Sequence, residues 1–312
     1  MKNVIYSVYT NISDNQLRQS DTFYGDNISK SEKTRIQFEK YKNRLIHSKT
    51  EYAKICNADF ILFDEVDRKF VNDDFDSINF YKHHLMEKLI KEYDNVLYLD
   101  FDVIPNTTES FFEVHDMNKI NVHAVDATKN NTWCESALIE WKKYEKGKPR
   151  NIGTEEKPDL MTPERISELH FDKYHMYCKS LCKLSMLAIE MILSKDHHVA
   201  NTGIIGGSSE SLSQIKMTER MDEMISIFNE AVEEELFDLF TKHYFINNEI
   251  FFSFILDRYK LNWNNLPFDW HYYIYPEEDN HTENWKNILK TKLKSAKLIH
   301  MISKDFDLIY DV

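Results

Sequence analysis

NVLYLDFDVIP, residues 95–105, is the stretch on which the fold turns. Val96–Leu99 is a near-continuous apolar run, the pattern of a strand buried on both faces, and it meets Asp100 and Asp102 before Pro105 stops it. Just upstream, Tyr81, Leu85, Leu89 and Tyr93 recur every four residues, which predicts an amphipathic helix with Asp76 or Ser77 as its N-cap. Before that helix, ADFILFDE (58–65) reads as a second strand ending in Asp64 and Glu65. Residues 31–56, with apolar Phe38, Tyr41, Leu45, Tyr52 and Ile55, read as another helix. NVIYSVYTNI (3–12) is a first strand closing on Thr10 and Asn11. Strand, helix, strand, helix, strand is the order of an α/β fold: a mainly parallel sheet with covering helices.

Downstream the pattern loosens between 106 and 198. The stretch 140–159 holds two of the six glycines and two of the six prolines and reads as an exposed loop. Thr162 and Pro163 then suit an N-cap and first helical position, and SLCKLSMLAIEMI (180–192) a buried helix. VANTGIIGGSS (199–209) is a small-residue strand or turn. Met221, Met224, Ile225, Phe228, Val232 and Leu236 mark a helix whose Glu233–Glu235 run is a solvated face. FINNEIFFSFILDRY (245–259) is an aromatic-rich helix entered through Asn247 or Asn248, and AKLIHMISK (296–304) is strand-like. No internal repeat and no long linker interrupts the chain, so one domain over 1–312 is expected.

Composition narrows the function. The 312 residues carry 39 basic and 52 acidic side chains, a net charge of 39 − 52 = −13, which disfavours a dedicated nucleic-acid or anionic-membrane binder. Six glycines and six prolines exclude collagen-like and Gly-punctuated repeat architectures; three of those glycines, Gly203, Gly206 and Gly207, fall within five residues. No apolar run reaches the ~18 residues of a membrane span, and the N-terminus turns polar too early for a signal peptide, so a cytoplasmic location is expected. Cys56, Cys134, Cys178 and Cys182 lack a CxxC spacing and are expected to be reduced.

The strongest chemical signal is Asp100-Phe101-Asp102 at the carboxyl end of its strand, where open α/β sheets bind ligands. Two carboxylates one residue apart can approach one hard divalent cation, which would offset their repulsion toward a phosphorylated substrate. The bland alternative is a polar strand end. His83-His84 and His197-His198 are read as incidental, because adjacent side chains diverge in helix and strand alike. Trp263, Trp270, Tyr272, Tyr273 and Trp285 suit either glycan stacking or a core with polar tips.

NVLYLDFDVIP, preceded by a helix containing Lys82, resembles the DxD segment of GT-A glycosyltransferases, in particular glycosyltransferase family 8. Three further segments follow in that family's order. VANTGIIGG is similar to its Asn-Ala/Thr-Gly donor-sugar segment. NNEIF stands in the place of its acidic motif near the anomeric carbon, and LIHMISK resembles its C-terminal His motif. That motif is His-x-x-Gly-x-x-Lys-Pro-Trp in the family, whereas here Lys304 follows His300 with neither the glycine nor Pro-Trp.

The resemblance implies a GT-A, Rossmann-like domain with a nucleotide-binding half at 1–105, an insertion at 106–198 and a donor-sugar and acceptor half at 199–312. It implies Mn2+ (or Mg2+) on Asp100, Asp102 and His300. Lys82, Phe101, Asn201, Gly203 and Lys304 would lie around a nucleoside diphosphate sugar, UDP foremost, with Thr10 and Asp64 near the nucleoside by position. Asn248 and Glu249 would stand near the reaction centre. The activity implied is hexosyl transfer to a glycan or other hydroxyl acceptor with retention, and no strong base is then required. The three glycines would form a bare backbone wall for the sugar. Two readings from other classes stay open: a haloacid-dehalogenase-like phosphatase using the DxD as nucleophile and acid/base, and a non-catalytic carbohydrate-binding protein.

Overall fold

In a computed structural model of the chain the described residues are 1–11, 22–23, 26–65, 78–126, 198–223, 248–274, 283–302 and 304–310. Several expectations lie outside them: the 140–159 loop, the helices expected from Thr162 through 192, Glu233–Glu235, the caps Asp76 and Ser77, and Cys134, Cys178 and Cys182. The chain divides into two compact units, one of Met1–His123, Gly203–Gln214 and Trp263–Val312, the other of Ala124–Thr202 and Ile215–Asn262. Among the described residues no helix is long and apolar enough to cross a membrane.

The first unit is built on β1 (Asn3–Val8), flanked in parallel by β4 (Ala58–Phe63) and β5 (Asn95–Leu99), with Tyr6 opposite both Ile61 and Tyr98. A strand with neighbours on both edges and helices across its faces is mostly apolar: Val4, Ile5 and Tyr6 are fully buried, and buried Ser7 donates its hydroxyl to the Leu99 carbonyl at 2.6 Å. The long helix α1 (Lys30–Ile55) follows the short antiparallel pair β2 (Thr22–Phe23) and β3 (Asp26–Ser29), and α2 (Ile78–Leu89) precedes β5. Tyr81, Leu85 and Leu89 are buried as their spacing predicts, and Tyr6 Oη donates to the Lys82 carbonyl at 2.7 Å, tying α2 to β1. On α1 the buried stripe is Tyr41, Leu45, Lys49, Tyr52 and Ala53, continued by Cys56 just past its end; Ile55, expected on it, is 43% exposed.

NVLYLDFDVIP does not run through as one strand. β5 ends at Leu99, the chain turns through Asp100–Asp102 with the Val103 N–H on the Asp100 carbonyl at 2.9 Å, and β6 (Val103–Pro105) enters a second sheet. After the short helix α3 (Phe111–Val114) come β7 (Ile120–Asp126) and β8 (His198–Ser208). β8 pairs antiparallel with β5, Ile204 opposite Leu99 and Ser208 opposite Asn95. A single-turn helix α4 (Ser209–Leu212) follows. With β9 (Trp263–Asn265) parallel to β7, the six-stranded order is β4-β1-β5-β8-β7-β9, mixed and mainly parallel, with helices on it.

The second sheet is β10 (Tyr272–Tyr273), β11 (Leu298–His300) and β6, with β11 antiparallel to β6 and His300 opposite Val103. A 3-10 turn, Phe268–His271, leads into β10. In the second unit, α5 (Asn248–Arg258) buries Phe251, Phe252, Phe254, Ile255 and Leu256, and Leu261 N–H bonds the Leu256 carbonyl at 2.9 Å. Helices α6 (Glu283–Leu293) and α7 (Asp307–Tyr310) are the last two described helices.

The glycine cluster has a packing cause at two of its three positions. A Cβ on Gly206 would stand 2.3 Å from Phe111 Cε1 and 3.2 Å from a Leu97 methyl. One on Gly207 would stand 2.6 Å from Ser211 Oγ and 3.1 Å from the Lys119 carbonyl oxygen. Bare backbone at 206 and 207 therefore admits neighbouring side chains of the core, not a sugar ring.

Candidate metal centre

The site assembles at the corner where β5 leaves the main sheet. Main-chain hydrogen bonds on either side of the turn fix the two acids in space. The Asp100 N–H bonds the Gly203 carbonyl at 2.7 Å, and the Met301 N–H bonds the Asp102 carbonyl at 3.0 Å. Below the turn Lys49, fully buried on α1, donates its Nζ to the Phe101 carbonyl at 2.9 Å and the Val103 carbonyl at 2.7 Å. Burial pushes the Lys49 ammonium down to about 7, although Asp102 and Asp100 pull it upward. Phe101 itself points into the core, its ring 4.8 Å from Tyr9 and 5.0 Å from Phe38, so its contribution to the site is a carbonyl.

His300 arrives on β11 because that strand pairs with β6, directly after the turn. Its Nε2 lies 3.7 Å from Asp100 Oδ2 and 3.4 Å from Asp102 Oδ2, and one ligand atom from each of the three residues falls within 4.8 Å of the others. Cis ligands of an octahedral ion with bonds of ~2.1 Å are ~3.0 Å apart, so small side-chain shifts would bring these three onto one cation. Two carboxylate oxygens and an imidazole nitrogen form a mixed set that suits Mn2+. The donor set and its closeness thus fit a divalent metal.

The two acids differ in their surroundings. Asp100 Oδ1 is held by Tyr98 Oη and lies 3.5 Å from Lys82 Nζ, which leaves Oδ2 toward His300. Lys82 is only 2% exposed, so it is no solvated surface lysine; burial lowers its ammonium pKa and Asp100 partly restores it. Burial raises the Tyr98 hydroxyl well above its usual range, with Asp100 adding to the shift, so Tyr98 remains a donor. Asp102 is 3% exposed, and its Oδ2 pairs with the Lys304 ammonium. Burial alone would raise the Asp102 carboxyl, but Lys304 and His300 outweigh it and hold the group well below the carboxylate range. Lys304 adopts a left-handed backbone, φ 60°, at the position that aims it there.

Behind His300 stands His271, fully buried, its Nε2 3.0 Å from His300 Nδ1. Burial, reinforced by His300 and His123, keeps the His271 pKa well below the usual imidazole value, so the ring is neutral.

The remaining predicted residues fall in two groups. Thr10 and Asp64 follow β1 and β4, whose carboxyl ends lie at the same sheet edge as Asp100; the Tyr9 N–H on the Phe63 carbonyl at 2.8 Å joins the two strands there. Asp64 is exposed and Thr10 half-buried. Asn201, Asn248 and Glu249 belong to the second unit. Within it Thr202 Oγ1 bonds Asn248 Oδ1, and Ser253 Oγ donates to the Glu249 carbonyl at 2.6 Å while accepting the Ala200 N–H at 2.9 Å. Residues 200–202 and the start of α5 are therefore tied together. Sequence reasoning did not single out Lys49, Tyr98 or His271. The one visible signal was Lys49, an ionisable residue on the stripe Tyr41-Leu45-Lys49-Tyr52.

No protein-family model matches the chain, and no curated protein matches it. Among solved structures, 97% of it aligns with a glycosyltransferase involved in glycosylation of the major capsid of PBCV-1, at 9% identity over 95% of that chain and a TM-score of 0.43. The same share aligns with mouse xyloside xylosyltransferase 1, at 12% identity over 98% of that chain and a TM-score of 0.37. It also aligns with 55% of the glycosyltransferase GlyE of Streptococcus pneumoniae, at 13% identity and a TM-score of 0.35. At these identities and TM-scores the likeness assigns no role to any residue here.

Proposed function

We propose that the chain is a divalent-metal-dependent glycosyltransferase of the GT-A type, moving a sugar from a nucleoside diphosphate donor, UDP foremost, to a hydroxyl acceptor. The observation that carries this reading is the convergence of Asp100, Asp102 and His300, the last almost 200 residues away in sequence, on one point at a strand's carboxyl end. The order of DxD, Asn-Thr-Gly, Asn-Asn-Glu and His segments supports it.

When bound, Mn2+ would supply Lewis-acid stabilisation to a departing diphosphate, worth several kcal/mol. The protein's own residues hold the rest of the charge. Asp100 Oδ1 is committed to Tyr98 and Lys82, so Oδ2 is the oxygen available to a cation. Lys82 and Lys304 bring two ammonium groups to the acids, and Lys304, the more exposed, can turn to a phosphate oxygen once a cation takes its place on Asp102. In this reading Gly203 and Asn201 border the donor sugar, Thr10 and Asp64 the nucleoside, and Asn248 and Glu249 the reaction centre. Transfer with retention then leaves the acceptor proton to the leaving phosphate.

Calorimetric titration with UDP, with and without Mn2+, on the wild type and Asp102→Ala tests the proposal, with circular dichroism as the folding control. UDP binding that requires Mn2+ and is lost in the variant is expected. Metal-indifferent or absent UDP binding, or phosphate release from a generic phosphoester, overturns it.

A further inference from the structure

We propose that His271 is a positioning residue for the metal centre: it holds the ring plane of His300 and accepts the His300 Nδ1–H when His300 Nε2 offers its lone pair to the cation shared with Asp100 and Asp102. The inference rests on the metal reading above and assigns a role to a residue outside the ligand set.

A neutral imidazole has one N–H and one lone pair. His300 Nε2 faces Asp102 Oδ2 at 3.4 Å and Asp100 Oδ2 at 3.7 Å, while its Nδ1 faces His271 Nε2 at 3.0 Å. With no cation present, the two carboxylates favour a proton on His300 Nε2. His300 Nδ1 then accepts from His271 Nε2–H. With a cation on Nε2, the His300 proton must sit on Nδ1, and His271 Nε2 must accept it. The same pair serves both states only if His271 can exchange its own donor and acceptor nitrogens. Its Nδ1 has no hydrogen-bond partner among the described residues, so no third group pins its tautomer and it can follow His300.

The ring is also held in place. The 3-10 turn that ends at His271 is closed by the Trp270 N–H on the Pro267 carbonyl at 2.9 Å, and the next strand pairs Tyr273 with His300. The two imidazoles lie 25° apart in plane with centroids 5.2 Å apart, and the Tyr273 ring packs 4.7 Å from His271. A partner on the far nitrogen of a metal-ligating histidine sets both its orientation and its basicity, and losing one typically costs ~10–100-fold in metal affinity.

The test is Mn2+ titration of the full chain, by calorimetry and by the electron paramagnetic resonance signal of free Mn2+, on the wild type, His271→Phe and His271→Gln. Phenylalanine keeps the packed ring without a nitrogen, and glutamine keeps a group that both donates and accepts. Mn2+ affinity is expected to fall ~10–100-fold in His271→Phe and to return largely in His271→Gln. In parallel, 15N spectra of the wild-type imidazoles should show the His300 proton move from Nε2 to Nδ1 when Zn2+, a diamagnetic ion that takes imidazole readily, is added. Unchanged Mn2+ affinity in a folded His271→Phe, equal losses in both variants, or a His300 proton that stays on Nε2 in the loaded wild type overturns the role. Absence of metal binding by the wild type fells the metal reading and this role together; wild-type binding with an indifferent His271→Phe fells this role alone.

Discussion

Lys49→Met should change the pH dependence of stability more than stability itself. The wild-type side chain is fully buried and its ammonium is lowered from 10.5 to about 7, a displacement equivalent to about 5 kcal/mol of penalty on the charged form. Between about pH 7 and 10.5 the unfolded chain carries a proton on Lys49 that the folded chain does not. The unfolded state therefore binds more protons, and folding stability from this group rises with pH across that window. From pH 6 to pH 9 the gain is about 3 kcal/mol. Methionine fills similar space and does not titrate, so the variant lacks this slope. It also leaves the Phe101 and Val103 carbonyls without their donor, at ~1–3 kcal/mol each. At pH 6 that loss is offset by removing the full penalty on a buried charge; at pH 9 the neutral wild-type amine keeps both hydrogen bonds and only about 2 kcal/mol of deprotonation cost remains. Urea unfolding of both proteins at pH 6 and pH 9 should show the variant near wild type at the lower pH and about 3 kcal/mol less stable, relative to that, at the higher. A wild-type-to-variant difference that stays flat from pH 6 to 9 would refute the buried, depressed amine.

Gly206→Ala should lower stability by ~1–3 kcal/mol, because the new methyl meets the Phe111 ring, and should leave Mn2+ and UDP affinity unchanged. A thermal melt and the same calorimetry check it, and lost UDP binding in a protein as stable as wild type would restore the glycine wall to the donor site. Lys304→Met frees Asp102 Oδ2 from its ammonium, so Mn2+ alone should bind more tightly and UDP with Mn2+ less tightly. Weaker binding of Mn2+ alone would show that Lys304 does not compete for that oxygen.

The apolar run Val96–Leu99 ending in Asp100 and Asp102 was legible because its cause is local. Leu97 and Leu99 enter one core cluster, Tyr98 and Asp100 share the opposite side through their hydrogen bond, and Phe101 reaches an aromatic cluster between two acids that do not. The helices on either side of β4 followed from spacing alone. Lys49 and His271 were not legible because their meaning is tertiary. A lysine on an apolar stripe ordinarily snorkels to water. Lys49 stays inside only because a turn some 50 residues later presents two carbonyls to it. His271 sits among Trp270, Tyr272 and Tyr273 with no spacing that marks it, and its partner is 29 residues away.

By its sum alone, a net charge of −13 would call for a cation before a diphosphate could approach. Exposed charges farther away than about 8–10 Å are largely screened at ordinary ionic strength, so the sum over the chain says little about the potential at Asp100 and Asp102. What counts there is the inner set. Lys82 stands 3.5 Å from Asp100, Lys304 pairs with Asp102, and Lys49 lies beneath the turn. The Lys82 and Lys304 ammonium groups already offset the two carboxylates in a largely buried site. Under the proposed function, a divalent ion entering there would displace a lysine more than relieve a repulsion. Its affinity would then depend on where Lys304 can go, and a diphosphate is the anion that would receive it.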